Sequence, residues 1–359
     1  MHFLKGFAMD RKIVILCGDK DFFGQTRKPW VSMNLAKIQD IFQQHGFTVE
    51  KHTFHEMVNR EESMKNSLIF YSFSQKESLR NYINDLVSFL DDGSNTLIPS
   101  YELLKCHENK GYQELYKKKK DIRSLKTYYL SSRKELAHYQ INFPMVFKTL
   151  DGSNAKGVYL AGSKKELIKW IKRNDPSTSL FTRLDLLRRK HSRRKKTYPE
   201  YPDYTNKKDY EEYKDYMTKQ KSFILQEYIP NLTYDYRVLI FYDKYYVMKR
   251  HTKAGDFRAS GTKRFDFDFE LDPSLLDYAK QIFEKLDTPM VSLDIGFNGE
   301  DYSLFEFQAL HFGVSAIVKS KGYYYSLDNN EWSFTQTKSD LETEVAHSVI
   351  KYIQERAEN

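Results

Sequence analysis

The sequence predicts an α/β protein whose C-terminal part turns to α+β. Two patterns carry this. Between residues 11 and 100, short apolar strands alternate with amphipathic helices, the order that builds a parallel sheet. From residue 223 onward, strands follow one another through tight turns, interrupted by one long amphipathic helix.

In the first segment, Lys12 to Cys17 (KIVILC) is a buried strand, and residues 18–29 form a loop. Leu35, Ile38, Ile41 and Phe42 then fall at helical spacing. Strands are expected at Phe47–Val49, at Ser67–Phe73 and just before Pro99, with a helix over 76–91. Residues 100–140 read as helical and basic, with lysines at 117 to 120. Capping-box pairs place helix starts at Ser132 with Glu135, Ser163 with Glu166, and Ser339 with Glu342. Asp272 before Pro273 is an N-cap with proline at the first helical position, followed by Leu275, Leu276, Ala279, Ile282, Phe283 and Leu286. FILQEYI, YRVLIFY, YYVMKRH, VSLDIGF and YSLFEFQ are strands, with turns at Asp243-Lys244 and Asn298-Gly299. The aromatic run around Tyr323–Tyr325 and Trp332, flanking Asp328-Asn329-Asn330, reads as a hairpin.

Composition narrows the class. With 40% hydrophobic and 30% charged residues the 359-residue chain is globular and long enough for two or three domains. The net charge of +8 is concentrated in residues 183–196, which hold eight Lys or Arg, so it says little about the remaining surface. That segment and the Tyr/Lys/Glu-rich stretch up to 221 read as an insertion on the outside of a domain. Cys17 and Cys106 lack metal-ligand spacing, and a disulfide framework is not expected. The opening MHFLKGFAMDRK has no secretory apolar run, and no window approaches the roughly 20 apolar residues of a membrane span. A cytoplasmic protein is the expectation.

Chemistry gathers in five places. An apolar strand delivers Lys148 to the loop DGSNAKG, where an ammonium and backbone N–H groups can hold phosphates. Gln226, Glu227, Tyr228 and Ile229 lie on or just after a strand, placed to read an adenine edge. YDYRV supplies Asp235 and Arg237. RHTKAGDFRASG adds Arg250 and Arg258. Asp294, Glu306 and Gln308 lie on adjacent strands, and because side chains alternate, Glu306 and Gln308 share a face, a credible oxygen-ligand set for Mg2+. His311, just beyond, is more simply a packed or solvent-facing histidine than a base.

This ordered set resembles the ATP-grasp superfamily, with members such as D-alanine–D-alanine ligases, glutathione synthetases and ribosomal-protein glutamate ligases. The resemblance covers residues 100–319. It implies an N-terminal α/β domain over 1–100, a small lobe over 101–222 carrying the glycine-rich loop and the basic insertion 183–221, and a large lobe over 223–359. It further implies that Lys110, Lys148 and the loop with Gly152, Ser153 and Gly157 bind ATP phosphates, and that Gln226 to Ile229 bind adenine. Asp235 would meet the ribose. Arg237, Arg250 and Arg258 would be catalytic, and Asp294, Glu306 and Gln308 would hold Mg2+. Two departures stand out: Gln308 replaces the usual Asn, and Ala309 to Gly313 replace a Pro-Gly segment.

The implied reaction is ATP-dependent ligation of a carboxylate to an amine or thiol, with an acidic or polymeric acceptor among the candidates. A membrane partner is not expected, nor, on this reading, a nucleic acid. The alternatives are a kinase with a hydroxyl acceptor, using Asp256 or His311 as base, and a polyanion- or nucleic-acid-binding protein carried by 183–196.

Overall fold

A computed structural model of the protein describes residues 12–25, 30–152, 155–192, 198–327 and 331–358. Ser153, Arg193, Arg194, Lys195, Lys196 and the turn Asp328-Asn329-Asn330 lie outside them. The chain divides into two compact units. One comprises the chain up to Leu125 together with everything from Ile229 onward, and the other runs from Lys126 to Tyr228.

The first unit opens with β1 (Lys12–Cys17), α1 (Leu35–Gln44), β2 (Thr48–Thr53), α2 (Phe54–Val58), β3 (Leu68–Tyr71), α3 (Glu77–Leu90) and β4 (Thr96–Ile98). These strands form a parallel sheet in the order β2-β1-β3-β4. Both faces of β1 are covered: Ile13, Ile15 and Cys17 belong to one apolar cluster, Val14 and Leu16 to another. A strand buried on both faces reads as a continuous apolar run, which is what KIVILC is. Helices α4 (Tyr101–Cys106) and α5 (Lys110–Lys119) follow.

The second unit holds β5 (Thr127–Leu130), β6 (Met145–Thr149), β7 (Val158–Ala161), α6 (Lys164–Asn174), α7 (Leu180–His191), α8 (Lys207–Met217) and β8 (Phe223–Glu227). Its sheet order is β5-β8-β6-β7, all pairs antiparallel. Because β8 is hydrogen-bonded between β5 and β6, this unit runs through Tyr228 and does not end at residue 222. At Ser163 the N-cap bond forms, its hydroxyl accepting the Glu166 N–H, but the box does not close: the Glu166 carboxylate takes the N–H of Gly162 at 2.7 Å. Neither α7 nor α8 buries a residue, as expected of an outside insertion. They are joined by Arg189, which donates to Asp185 (3.1 Å) and to the Tyr201 hydroxyl (2.9 Å) and lies 4.4 Å from the Tyr213 ring centre.

The chain then returns to the first unit with β9 (Tyr234–Phe241), β10 (Lys244–His251), β11 (Phe265–Asp266), α9 (Pro273–Leu286), β12 (Met290–Phe297), β13 (Tyr302–Gln308), α10 (Ser315–Lys319), β14 (Gly322–Ser326), β15 (Trp332–Gln336) and α11 (Leu341–Glu358). Among the described residues these strands make one sheet, ordered β13-β12-β9-β10-β14-β15 with β11 on β10. Helix α9 begins as expected, with Asp272 accepting the Ser274 N–H and Pro273 in the first turn.

Three local expectations need correction. The helix expected from Ser132 is a 3-10 turn over Arg133–His138 without a Ser132 cap, because Glu135 instead takes the N–H of Ser131 at 2.9 Å. Helix α11 is capped by Asp340, which accepts the Thr343 N–H at 3.0 Å, while the Ser339 hydroxyl is held by Tyr246 at 2.6 Å. The β9–β10 turn is Tyr242-Asp243, one residue earlier than expected, since Phe241 already pairs with Lys244.

After β1, the backbone at Gly24 runs so close to the β3 end that an added Cβ would sit 2.2 Å from the Phe73 carbonyl oxygen. The Ser72 hydroxyl donates to the Gly24 carbonyl and ties the two segments. Gly24→Ala must separate them, and overpacking of this kind costs about 1–3 kcal/mol. A lowered urea midpoint is the expected result; an unchanged midpoint would show that the contact yields freely.

Candidate active site

In the first unit, cross-strand register assembles the charged residues. Glu306 on β13 pairs with Asp294 on β12, and Asp294 pairs with Arg237 on β9. Asp235, two residues before Arg237 and therefore on the same face, pairs with Arg250 on β10. The side chains then bond in an alternating series. Arg237 holds Asp294 through two contacts, Nε–Oδ1 at 2.8 Å and Nη2–Oδ2 at 3.0 Å. Arg250 reaches the same Asp294 Oδ2 at 2.9 Å and clasps Asp235 at 2.6 and 2.7 Å. Asp235, Arg250 and Asp294 are all buried. Such planar two-point pairs are the strongest geometry available to a guanidinium.

Burial disfavours every charge here, and the partners decide the outcome. It pushes Asp294 upward, but the two guanidinium groups of Arg237 and Arg250 overcome it and hold the carboxyl well below the usual range. Asp235 has one direct guanidinium and Asp294 as a repelling neighbour, so burial wins and its pKa is raised. Of the two, Asp235 takes a proton first. With both its oxygens bonded to Arg250, Asp235 is a buried ion pair and not a surface for a ribose.

Strand β13 carries a bulge. Asp294 pairs with Glu306 but Ile295 pairs with Leu304, leaving Phe305 as an extra residue. Leu304 and Phe307, three apart, therefore both enter the core, while Glu306 stays half-buried. The Phe305 ring fills the space over Gly296. Gln308 donates its amide N–H to Glu306 at 2.7 Å, and its carbonyl oxygen lies 3.3 Å from His107 Nδ1. Helix α5 lies along this strand with a buried polar face missed at the sequence level: Lys110, Gln113, Glu114 and Lys117, spaced i, i+3, i+4, i+7. Lys117, the first of four consecutive lysines, is fully buried.

Arg258 is clamped by Asp256 (2.9 and 2.8 Å), which lowers the Asp256 pKa and weakens it as a base. His311 is packed, 5.0 Å from the ring centres of both Phe73 and His107. Ile229 is buried in this unit.

In the second unit, the Lys148 ammonium donates to Gln226 Oε1 at 2.6 Å, across the β6–β8 pair. The following loop closes through the Thr149 N–H to the Gly157 carbonyl (2.9 Å), with Gly152 and Gly157 at φ of 109° and 74°. Glu227 is exposed, and its N–H is taken by the Lys126 carbonyl at 2.9 Å, so it has no free donor for adenine. Tyr228 is half-buried.

Asp294, Glu306 and Gln308 carry oxygen donors of the type a hard divalent cation takes, but both Asp294 oxygens are bonded to Arg237 and Arg250 and the Gln308 amide N–H faces Glu306. Among the described residues no three His, Cys, Asp or Glu side chains converge as a metal cluster. The donors fit Mg2+ in type, and a cation there would share Asp294 with Arg237 and Arg250.

Arg250→Ala would leave Asp235 buried without a counter-charge, a change that costs about 3–5 kcal/mol. Chemical denaturation should show that loss, and a cost below about 1 kcal/mol would contradict the geometry. Because the Asp294 pKa is depressed, its stabilisation is fully present above its unfolded value, about pH 4. It is lost only as pH falls below that.

No protein-family model matches the sequence, and no curated protein matches it. Solved structures do. The chain is similar to a RimK domain protein of the ATP-grasp type from Sphaerobacter thermophilus, with a TM-score of 0.50 at 11% identity over 94% of this chain and 98% of the other. It is equally similar to a D-cycloserine synthetase, with a TM-score of 0.50 at 10% identity over 94% of this chain and 99% of that one. At such identity the likeness speaks for architecture. With its parallel N-terminal sheet, its separate antiparallel unit and its charged C-terminal sheet, the chain has the ATP-grasp fold.

Proposed function

We propose that the protein is an ATP-dependent ligase that joins a carboxylate to an amine, or to a thiol, through an acyl phosphate, with Mg2+. The observation that carries this reading is the row Glu306–Asp294–Arg237, backed by Arg250 and Asp235, on one face of a sheet in an ATP-grasp fold. In the reaction a carboxylate oxygen attacks the γ-phosphorus of ATP, the bond to the bridging oxygen breaks, and ADP leaves. The amine nitrogen then attacks the acyl carbon, loses a proton, and phosphate departs.

Within the first unit, Arg237 and Arg258 would face the oxygens of the transferring phosphoryl group, where fixed positive charge lowers the barrier most. Arg250, sealed against Asp235 and Asp294, would act by holding Asp294 and not by touching substrate. Asp294, Glu306 and Gln308 would hold Mg2+, which when bound supplies charge neutralisation for the phosphate oxygens. Lys110, at the N-terminus of α5, would add a phosphate contact. Within the second unit, Lys148 and the loop 151–157 would bind phosphates, and Gln226 with its neighbours the adenine. The ligase is favoured over a kinase because neither base candidate suits a hydroxyl acceptor: Asp256 is tied to Arg258 and His311 is packed among rings.

Two outcomes are expected. Lys148→Ala should weaken ATP binding at least about tenfold by calorimetry, about 1.4 kcal/mol, with an unchanged circular dichroism spectrum; equal affinity would remove Lys148 from the nucleotide site. ATP, the correct acid and hydroxylamine should yield a hydroxamate together with ADP. A stable phosphate ester in place of the hydroxamate would establish the kinase.

A further inference from the structure

Among the described residues, strand β13 lies at the edge of its sheet, with only β12 beside it. An edge leaves a row of backbone groups unpaired, and a bulge adds more. Here side chains take them. The Tyr278 hydroxyl accepts the Leu304 N–H at 2.9 Å, and Gln113 Oε1 accepts the Phe307 N–H at 3.4 Å. The carbonyls at the bulge itself go to one group: the Lys117 ammonium donates to Leu304 at 3.3 Å and to Phe305 at 3.1 Å. Its remaining partner is Glu114 at 2.7 Å, one turn back on α5 and itself buried.

This arrangement matters because the bulge sets the phase of the strand. Side chains on a regular strand alternate, so with Leu304 in the core Glu306 would point into the core too. The extra residue at Phe305 breaks that rule. It lets Leu304 and Phe307 both pack inward and frees Glu306 to stand beside Asp294. A lysine buried to this depth is expensive, and an apolar side chain would fill the same space at lower cost. What an apolar side chain cannot do is bind two bulge carbonyls.

We propose that Lys117, paired with Glu114, is a positioning residue that pins the β13 bulge and so keeps Glu306 in phase with Asp294 for divalent-cation binding. This rests on reading Glu306 as a cation ligand. Lys117 itself touches neither substrate nor metal; it acts through the backbone of Leu304 and Phe305.

The test measures Mn2+ binding to the full chain by electron paramagnetic resonance, in the presence of a non-hydrolysable ATP analogue, for the parent, Lys117→Met and Lys117→Arg. Affinity of the analogue without metal is measured alongside. The expected result is a loss of Mn2+ affinity of about tenfold or more in Lys117→Met, with metal-free analogue binding unchanged and partial recovery in Lys117→Arg. If the parent binds Mn2+ and Lys117→Met binds it equally well, the positioning role is overturned while the ligand assignment stands. If the parent binds no Mn2+, the reading of Glu306 falls, and the proposal with it. Should Lys117→Met fail to fold, Lys117→Gln is measured instead: it removes the charge and shortens the reach to the bulge carbonyls, so parental Mn2+ affinity in that variant would overturn the proposal.

Discussion

Three buried charges, Asp235, Arg250 and Asp294, with Arg237 half-buried beside them, would destabilise a sheet if left unpaired. Removing each ion from solvent costs several kcal/mol, which is recovered only when the partners are close, well aimed and fully bonded. The series Arg237–Asp294–Arg250–Asp235 meets that condition by alternation: the two inner members, Asp294 and Arg250, each have opposite charges on both sides. The arrangement is possible only if β9, β10 and β12 hold one register, since slipping any strand by one residue would send its charged side chains to the other face. The lattice therefore constrains the sheet as much as the sheet constrains the lattice. The two-residue turn at Tyr242-Asp243 fixes that register between β9 and β10.

Around this centre the fold solves a second problem, that of a site at a sheet edge. Catalytic groups near an edge stay reachable, but an edge strand has backbone groups to satisfy. A further strand would satisfy them. The protein uses helices: α5 and α9 supply a lysine, an amide and a phenol to β13. Side-chain partners serve the backbone groups on the side of the bulged strand that faces away from β12. The polar inner face of α5 is thus a counterpart to the irregularity it faces.

Much of this was legible in the sequence where the signal is local. Apolar runs and 3.6-residue spacing located β1, α1, α9 and the hairpin strands, and the order of charged motifs carried the resemblance to the fold. What sequence alone could not show depends on contacts between distant residues. That Asp294 answers to Arg237 and Arg250 is a matter of register across strands. Lysines 117 to 120 read as one basic run, yet helical periodicity sends Lys117 inward. Its spacing with Lys110, Gln113 and Glu114 was the available clue. Strand β5 (TYYL) was absorbed into a helical stretch because it is short and follows basic residues. In α7, Arg189 counted as surface charge but turns toward Tyr201 and Tyr213. The cap errors at Ser132 and Ser339 arose because the neighbouring Ser131 and Asp340 offered equally good bonds one residue away.

The order in which the chain visits its two units has a consequence for biosynthesis. The second unit is one continuous stretch, so it can mature as soon as Tyr228 has left the ribosome. The first unit cannot. Ile13, Ile38 and Phe42 share a core with Leu239, Val349 and Ile353, so the surface of the first sheet and α1 must wait, uncovered, until α11 has been made. A nascent chain in that interval carries an uncovered apolar face. Helix α11 thus acts as the latch over β1 and α1, closing a core opened more than 300 residues earlier.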